Sequence, residues 1–464
     1  MNKVKVVARV DTTINENDIQ NIILNGVDAI EINMSDSSRE SIRKIISLIR
    51  MLNKKLSTGV GIMLSIGEPS IHTGKVKDNE TYFKTGDKIR LYIDDMLGDE
   101  TKVSIDRNII DEVSRDDNII LNDGSVRLKV YDKGDNYIIC EVLKGGNIVS
   151  YSKVYIKNDL NAPFLKVKDI KDIEFASEMN VDFVEIPKVK TSEDILEVTD
   201  MLIGLKNDHT NVISRIELEE ALDDIDNIIK ISDGIIIDRN SLAMTLPVER
   251  IPGIQKRIIN KCLRAGKISI ISTDLPKTSN NSLNRIEIQD IANSTIDGVD
   301  AFIINENISS KEIISIKLLE SILNEVEKGI DYNTMAENAS RDENTDITGI
   351  IATNVATTAN RLKCKAIIAP TITGYTARKI SRFRPYCPII AASPSMETVT
   401  SLSLNFGVNA VLIDDLNSLD KIIKISEDIT KGLISLSHGD KVIITGGYPF
   451  KESKNTNFMK IKEI

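Results

Sequence analysis

The chain is short of the residues that build metal centres and disulfide frameworks: it has 4 cysteines and 3 histidines in 464 residues. The cysteines, at positions 140, 262, 364 and 387, lie far apart and form no C-x-x-C pair. That spacing argues against both a disulfide scaffold and a cysteine zinc site, and it fits a reducing cytoplasm. His72, His209 and His438 fall in separate predicted loops and read as surface or capping residues rather than partners in one site. No uncharged run approaches the length of a membrane-spanning helix, and MNKVKVVARVDTT carries only a short apolar stretch, unlike an export signal. Phosphate-loop, dinucleotide, nucleophile-elbow and zinc-protease signatures are also missing; the nearest string, GEPSIHTGK, has the wrong spacing for a G-x-x-x-x-G-K-[ST] loop. Positive charge is in deficit, with 59 Lys and Arg against 69 Asp and Glu, a net charge of −10. The expected partners therefore include no nucleic acid and no membrane.

What is present describes a globular protein, with 41% hydrophobic and 28% charged residues. At roughly 150 residues per domain, the length suggests about three domains. Eight Val/Ile-rich runs, at 3–10, 27–33, 60–66, 181–187, 211–217, 234–239, 268–273 and 300–305, alternate with amphipathic segments such as SSRESIRKIISLIRML. Eight strand–helix repeats are the number that closes a (β/α)8 TIM barrel. The rhythm breaks once, between Ile66 and Val181. There IILNDGSVRLKVYDKGDNYIICEVLKGGNIVS alternates apolar and polar residues around Asp-Gly and Gly-Gly turns, as an inserted antiparallel β domain would. After the polar stretch DYNTMAENASRDENTD, new strand–helix units at 366–371, 388–394, 410–415 and 441–447 predict a doubly wound α/β domain. The expected boundaries are 1–72 and 161–335 for the barrel, 73–160 for the small β-barrel insert and 336–464 for the C-terminal domain.

Barrel chemistry sits at the C-terminal ends of the strands. Those positions hold Glu31, Asn33, Ser65, Glu185, Arg215, Glu217, Asp238, Arg239, Ser272, Thr273, Asn305 and Glu306. This is a polar mouth rich in carboxylates, able in principle to hold a hard cation. The same carboxylates also suit helix capping and pairing with barrel cations. In the C-terminal domain, Thr371-Ile-Thr-Gly-Tyr-Thr376 leaves a strand and opens a helix. Thr371, Thr373, Gly374 and Thr376 offer hydroxyls and backbone N–H groups to an anion, while ordinary N-capping by Thr376 explains part of the same pattern.

The domain order, with strings such as NVISRIE, SDGIIIDRNSL, IQKRIINKCLRAGKISIIST, QDIANSTIDGVDA, ARKISRFRPYCPI and HGDKVIITGG, resembles the pyruvate kinase family over nearly the whole chain. The resemblance implies transfer of a phosphoryl group from phosphoenolpyruvate to ADP, assisted by Mg2+ and K+ and by cationic side chains around the phosphates. It places Glu217 as a metal ligand, Arg215 and Thr273 as catalytic positions, and Asn33 and Ser35 at the K+ site. The phosphate-binding loop for an effector falls on Thr371–Thr376, and a second effector loop on Gly446–Lys451.

Several positions depart from the family pattern. Arg-Leu-Asn-Phe-Ser-His-Gly reads Glu31-Ile-Asn-Met-Ser-Asp-Ser37, so a phosphate arginine has become a glutamate. Asp-Thr-Lys-Gly-Pro-Glu-Ile-Arg reads Ser65-Ile-Gly-Glu-Pro-Ser-Ile-His72, replacing a K+ carboxylate, a lysine and a nucleotide-side arginine. Lys-Ile-Glu reads Arg215-Ile-Glu217, and Ser241 stands where the second Mg2+ carboxylate is expected. Losing several members of a site that acts as a unit leaves little rate. The expectation is a weakly active or inactive homologue in the cytoplasm that binds a small phosphorylated metabolite or a partner. It would assemble as a homotetramer, alone or mixed with an active paralogue. The alternatives are an active divergent pyruvate kinase of glycolysis using Arg215, Glu217 and Thr273, and a metal-dependent lyase on a 2-keto acid using Glu217 with Glu185 or Asp238.

Overall fold

The computed structural model describes residues 2–35, 37–67, 71–122, 124–156, 164–274, 278–279, 282–283, 285–309, 312–340, 346–413, 424, 428, 430–447 and 456–464. The eight apolar runs form a closed parallel barrel of strands Lys5–Val10, Ala29–Asn33, Gly61–Ser65, Phe183–Ile186, Asn211–Ile216, Gly234–Ile237, Ile268–Thr273 and Ala301–Asn307. Strands buried on both faces need apolar residues at nearly every position, which is why their sequences hardly alternate. Val7, Met63, Phe183, Ile213, Ile236 and Ile303 pack inside the barrel, joined by Leu404 from the C-terminal domain. Pairing of the first and eighth strands shifts register between Val7 and Arg9, at the rim where Arg9 enters the mouth.

The N-terminal rim is organised by aspartates that precede strands. Asp28 accepts the Val6 N–H at 2.9 Å, Asp182 that of Ile62 at 2.8 Å, Asp233 that of Val212 at 3.0 Å and Asp300 that of Ser269 at 3.0 Å. Each satisfies a strand-start donor that the parallel ladder leaves over. Asp182 also receives the Thr400 hydroxyl, tying the C-terminal domain to the barrel. Burial outweighs these hydrogen bonds and pushes its carboxyl up to about 6. A raised carboxyl pKa means that the folded state holds the proton more tightly than the unfolded chain. Stability from this group is therefore full below the ordinary aspartate range and is lost as pH rises through about 6. The loss is on the order of 3 kcal/mol. Asp182→Asn should remove it, so melting temperatures at pH 5 and pH 8 should lie closer together in that variant than in the parent.

The insertion leaves after Ser65 and returns before Phe183. Its sheet runs in the order Ile71–His72, Lys153–Ile156, Asn118–Leu121, Val126–Lys133, Tyr137–Lys144, Lys88–Tyr92 and Lys102–Ser104. A bridge from Thr73 to Ile105, with Gly74 N–H to the Ser104 carbonyl at 2.7 Å, joins the two edges, so the sheet curls around its own core of Leu91, Leu128, Val130 and Cys140. His72 therefore lies on a short edge strand rather than in a loop; its backbone and ring both meet Asp106.

The C-terminal domain has strand order Val408–Leu412, Ile389–Ser393, Ala366–Pro370, Lys441–Gly446 and Phe458–Glu463. The last strand, antiparallel to its neighbour, has no counterpart in the sequence reading because FMKIKE is short, polar and half-exposed. Arg384 joins this domain to the barrel through Asp300, at 2.7 and 2.8 Å.

Candidate active site

The barrel mouth is lined by charge, but the charges face one another. Arg9, at the end of the first strand, pairs with Glu31 on the second through two hydrogen bonds, Nε to Oε2 at 2.9 Å and Nη2 to Oε1 at 2.8 Å. Its remaining Nη1 donates to the Asn305 carbonyl at 3.1 Å. Glu31 is fully buried. Burial pushes its carboxyl up while the Arg9 guanidinium pulls against the rise. The negative side chain at this position is therefore neutralised from the neighbouring strand, and the guanidinium that does so is held by a two-pronged pair.

Across the mouth Arg215 is the hub. Its Nε bonds Glu185, its Nη1 reaches Asp238 at 3.2 Å, and Glu217 stands 3.7 Å from Nε. Nη2 and the second Glu185 oxygen lack partners, although a small rotation would turn this pair into a two-pronged fork. Burial works against the Arg215 charge, yet Glu185, Asp238 and Glu217 more than offset it, so its pKa stands well above the ordinary arginine value. Burial also opposes ionisation of Asp238, but Arg215 and Lys153 hold it below the usual carboxylate range. Glu217 goes the other way, raised by burial and then by the neighbouring Asp238.

Mg2+ does not fit this donor set. Asp238 has one oxygen on Arg215 and gives the other to the Ser241 N–H at 3.0 Å, capping the helix Arg239–Thr245. Ser241 receives Lys153 Nζ at 3.4 Å. Glu217 stands against Arg215 with a carboxyl inclined to keep its proton. Among the described residues no three Asp, Glu, His or Cys side chains are arranged to hold a metal ion. The K+ position fares similarly: Asn33 Oδ1 already accepts from Ser35 N–H at 3.0 Å and Ser35 Oγ at 2.6 Å, and Ser65 brings no charge. Thr273 is buried at the end of the seventh strand, its hydroxyl 3.4 Å from the Asp274 carbonyl. Arg239 turns away to Asp290 and to the Ser272 carbonyl at 3.2 Å.

In the C-terminal domain the Thr371–Thr376 loop is largely satisfied internally. Thr371 Oγ1 accepts the Gly374 N–H at 2.9 Å, and the Thr376 hydroxyl meets Thr456 at 2.7 Å. Gly374, at φ +79°, is the residue that caps the helix Tyr375–Ser381. Thr376 lies inside the helix, so it does not supply the cap expected of it. The exposed part of the loop is Ile372 and Thr373, with Arg378 bonded to the Thr373 carbonyl at 3.0 Å. Of the second effector loop, 448–451 lie outside the described residues, as do Asp36 and residues 68–70 of the altered barrel motifs.

Two site residues escaped the sequence reading. Arg9 stands at the end of the first strand by the same strand-end rule, but as a lone cation in an apolar run it carries no local sign of its pairing with Glu31. Lys153 comes from the inserted domain, and nothing along the sequence places its strand, Lys153–Ile156, beside the mouth.

Residues 1–311 match the profile of the pyruvate kinase barrel domain and residues 350–462 that of the pyruvate kinase alpha/beta domain. The chain is 32% identical to a pyruvate kinase of Clostridium perfringens over 475 aligned positions, covering 100% of both proteins. It is 30% identical to a pyruvate kinase of Clostridium acetobutylicum, covering 95% of this chain and 94% of that one. A solved pyruvate kinase from Cryptosporidium parvum superposes with a TM-score of 0.83 at 26% identity, covering 100% of this chain and 96% of that one. This chain belongs to the pyruvate kinase family.

Proposed function

We propose that the protein is a pyruvate kinase homologue with little or no transfer of phosphate from phosphoenolpyruvate to ADP, kept for binding a small phosphorylated metabolite or a protein partner. One observation carries the reading: the two arginines that line the mouth are already paired with carboxylates, Arg9 with Glu31 and Arg215 with Glu185 and Asp238. Phosphoryl transfer between two polyanions depends on preorganised positive charge directed at the phosphates. Here a substrate phosphate drawn to either arginine would compete with the carboxylate already bound to it. A metal-dependent lyase draws no support from the same mouth, because its carboxylates are committed in the same way.

A coupled assay with phosphoenolpyruvate, ADP, Mg2+ and K+ tests the proposal. Catalytic efficiency should fall about a thousandfold or more below an active family member. A rate within about tenfold of that enzyme would overturn it and favour the divergent-enzyme alternative. A thermal-shift series with sugar phosphates, repeated on Thr373→Glu at the exposed part of the loop, examines the binding half. The cytoplasm is the setting that suits four unpaired, buried cysteines. Assembly as an oligomer draws support from Ile286, Ile314 and Ile347, exposed on helices at 76%, 73% and 72%.

A further inference from the structure

The misfit between the mouth and a divalent ion has a counterpart in the inserted domain. In the strand Lys153–Ile156, Val154 and Ile156 enter the insert's core, so alternation sends Lys153 and Tyr155 to the other face. Lys153 Nζ donates to Ser241 Oγ at 3.4 Å, on the side chain that stands where the family pattern has a metal carboxylate. Two further contacts fall on the same short helix. Arg127 Nη2 reaches the Met244 carbonyl at 3.4 Å, and Gly124 lies so close that an added Cβ would sit 3.5 Å from the Ala243 carbonyl oxygen. The Tyr155 phenol is pushed up by burial and by the nearby Glu220 and Glu217, which places it in the same electrostatic neighbourhood.

The charge balance gives Lys153 its role. Arg215 faces Glu185, Glu217 and Asp238, one guanidinium within 4 Å of three carboxylates. The Lys153 ammonium adds positive charge beside this cluster: it sits on the Ser241 hydroxyl, and the Ser241 N–H is held by Asp238. We propose that Lys153 is the built-in counter-cation of the barrel mouth, standing in for a divalent ion and fastening the inserted domain against the helix Arg239–Thr245. The proposal rests on the self-neutralised mouth described above, and it is separable from the catalytic question. A tethered ammonium needs no free ion and cannot be chelated away, so closure of the insert becomes independent of metal.

The test uses the full chain with Mn2+ alone as the probe, followed by electron paramagnetic resonance of the free ion, and with hydrogen–deuterium exchange across 239–245. The parent should leave millimolar Mn2+ free, whereas Lys153→Met combined with Ser241→Asp should bind about one ion per chain. Lys153→Met alone should raise exchange in the helix about tenfold, and Lys153→Arg should keep the parent's protection. Binding of Mn2+ by the parent that disappears in Glu217→Gln would overturn the proposal, as would unchanged exchange in Lys153→Met. Bound Mn2+ with a silent coupled assay would remove the counter-cation but leave the impaired-catalysis reading standing. Turnover without Mn2+ binding would do the reverse.

Discussion

Arg215→Met should destabilise the protein by about 3–5 kcal/mol, far more than its lost contacts would suggest. The substitution leaves Glu185, which is 1% exposed, facing Glu217 and Asp238 with no guanidinium between them. Uncompensated charge in a low-dielectric interior is relieved only by protonation or by unfolding. The damage should therefore depend on pH in a definite direction. Without Arg215 the carboxyls move up, the folded state binds more protons than the unfolded chain, and stability falls as pH rises. Urea melts followed by circular dichroism should show a larger deficit at pH 8 than at pH 5; the chain has no tryptophan to report by fluorescence. Glu185→Gln in the same chain should restore part of the loss, because it removes one of the stranded charges. A deficit below about 1 kcal/mol at pH 8 would mean that water reaches the mouth and screens the cluster.

The same cluster shows why the fold was easier to read than the site. The eight barrel strands announce themselves because a strand buried on both faces must be apolar throughout, a property visible in Val-Val-Ala-Arg-Val or Ile-Ser-Ile-Ile-Ser-Thr without any partner. The aspartate rim repeats too, in Gly26-Val-Asp28, Asn180-Val-Asp182 and Gly298-Val-Asp300. Its spacing follows helix and insert lengths, however, so no fixed period exposes it. The mouth was legible residue by residue as departures from a family pattern, Glu31 and Ser241 above all. What those departures mean lay beyond the sequence. Glu31 reads as an unpaired charge until Arg9 is seen beside it, since pairing across parallel strands joins residues 22 positions apart. Lys153 is remote in another way: its partner Ser241 lies 88 residues on, across the gap between two domains.

These pairings change the meaning of the substitutions. A site that had simply decayed would be expected to leave buried charges unmatched, and unmatched charges in a barrel interior cost several kcal/mol each. Here Glu31 is answered by Arg9, and the single guanidinium of Arg215 by Glu185 and Asp238, with only Arg215 Nη2 and one Glu185 oxygen left over. The altered mouth is thus an ionic layer in which most of the buried charge is matched within the barrel itself.

The second large effect lies at the opposite end of the barrel. Arg384 is 2% exposed and holds Asp300 with both terminal nitrogens, while Nη2 also donates to the Gly298 carbonyl at 2.9 Å and the guanidinium lies 4.5 Å from the Phe406 ring. Asp300 in turn accepts the Ser269 N–H and hydroxyl, each at 3.0 Å, so one carboxylate serves the seventh barrel strand and the C-terminal domain together. Arg384→Met should cost about 3–5 kcal/mol and strand Asp300 in a dry interface. Because the pair bridges two cores, the loss should also divide unfolding: calorimetry should show the C-terminal domain melting ahead of the barrel where the parent melts once. Asp300→Asn should be damaging alone, since it leaves the guanidinium buried without its charge partner. Joined to Arg384→Met, it should cost about 1–3 kcal/mol less than the two separate losses added together. Additive losses with a single transition would show that domain docking rests on the surrounding apolar contacts, and that the buried pair is incidental to it.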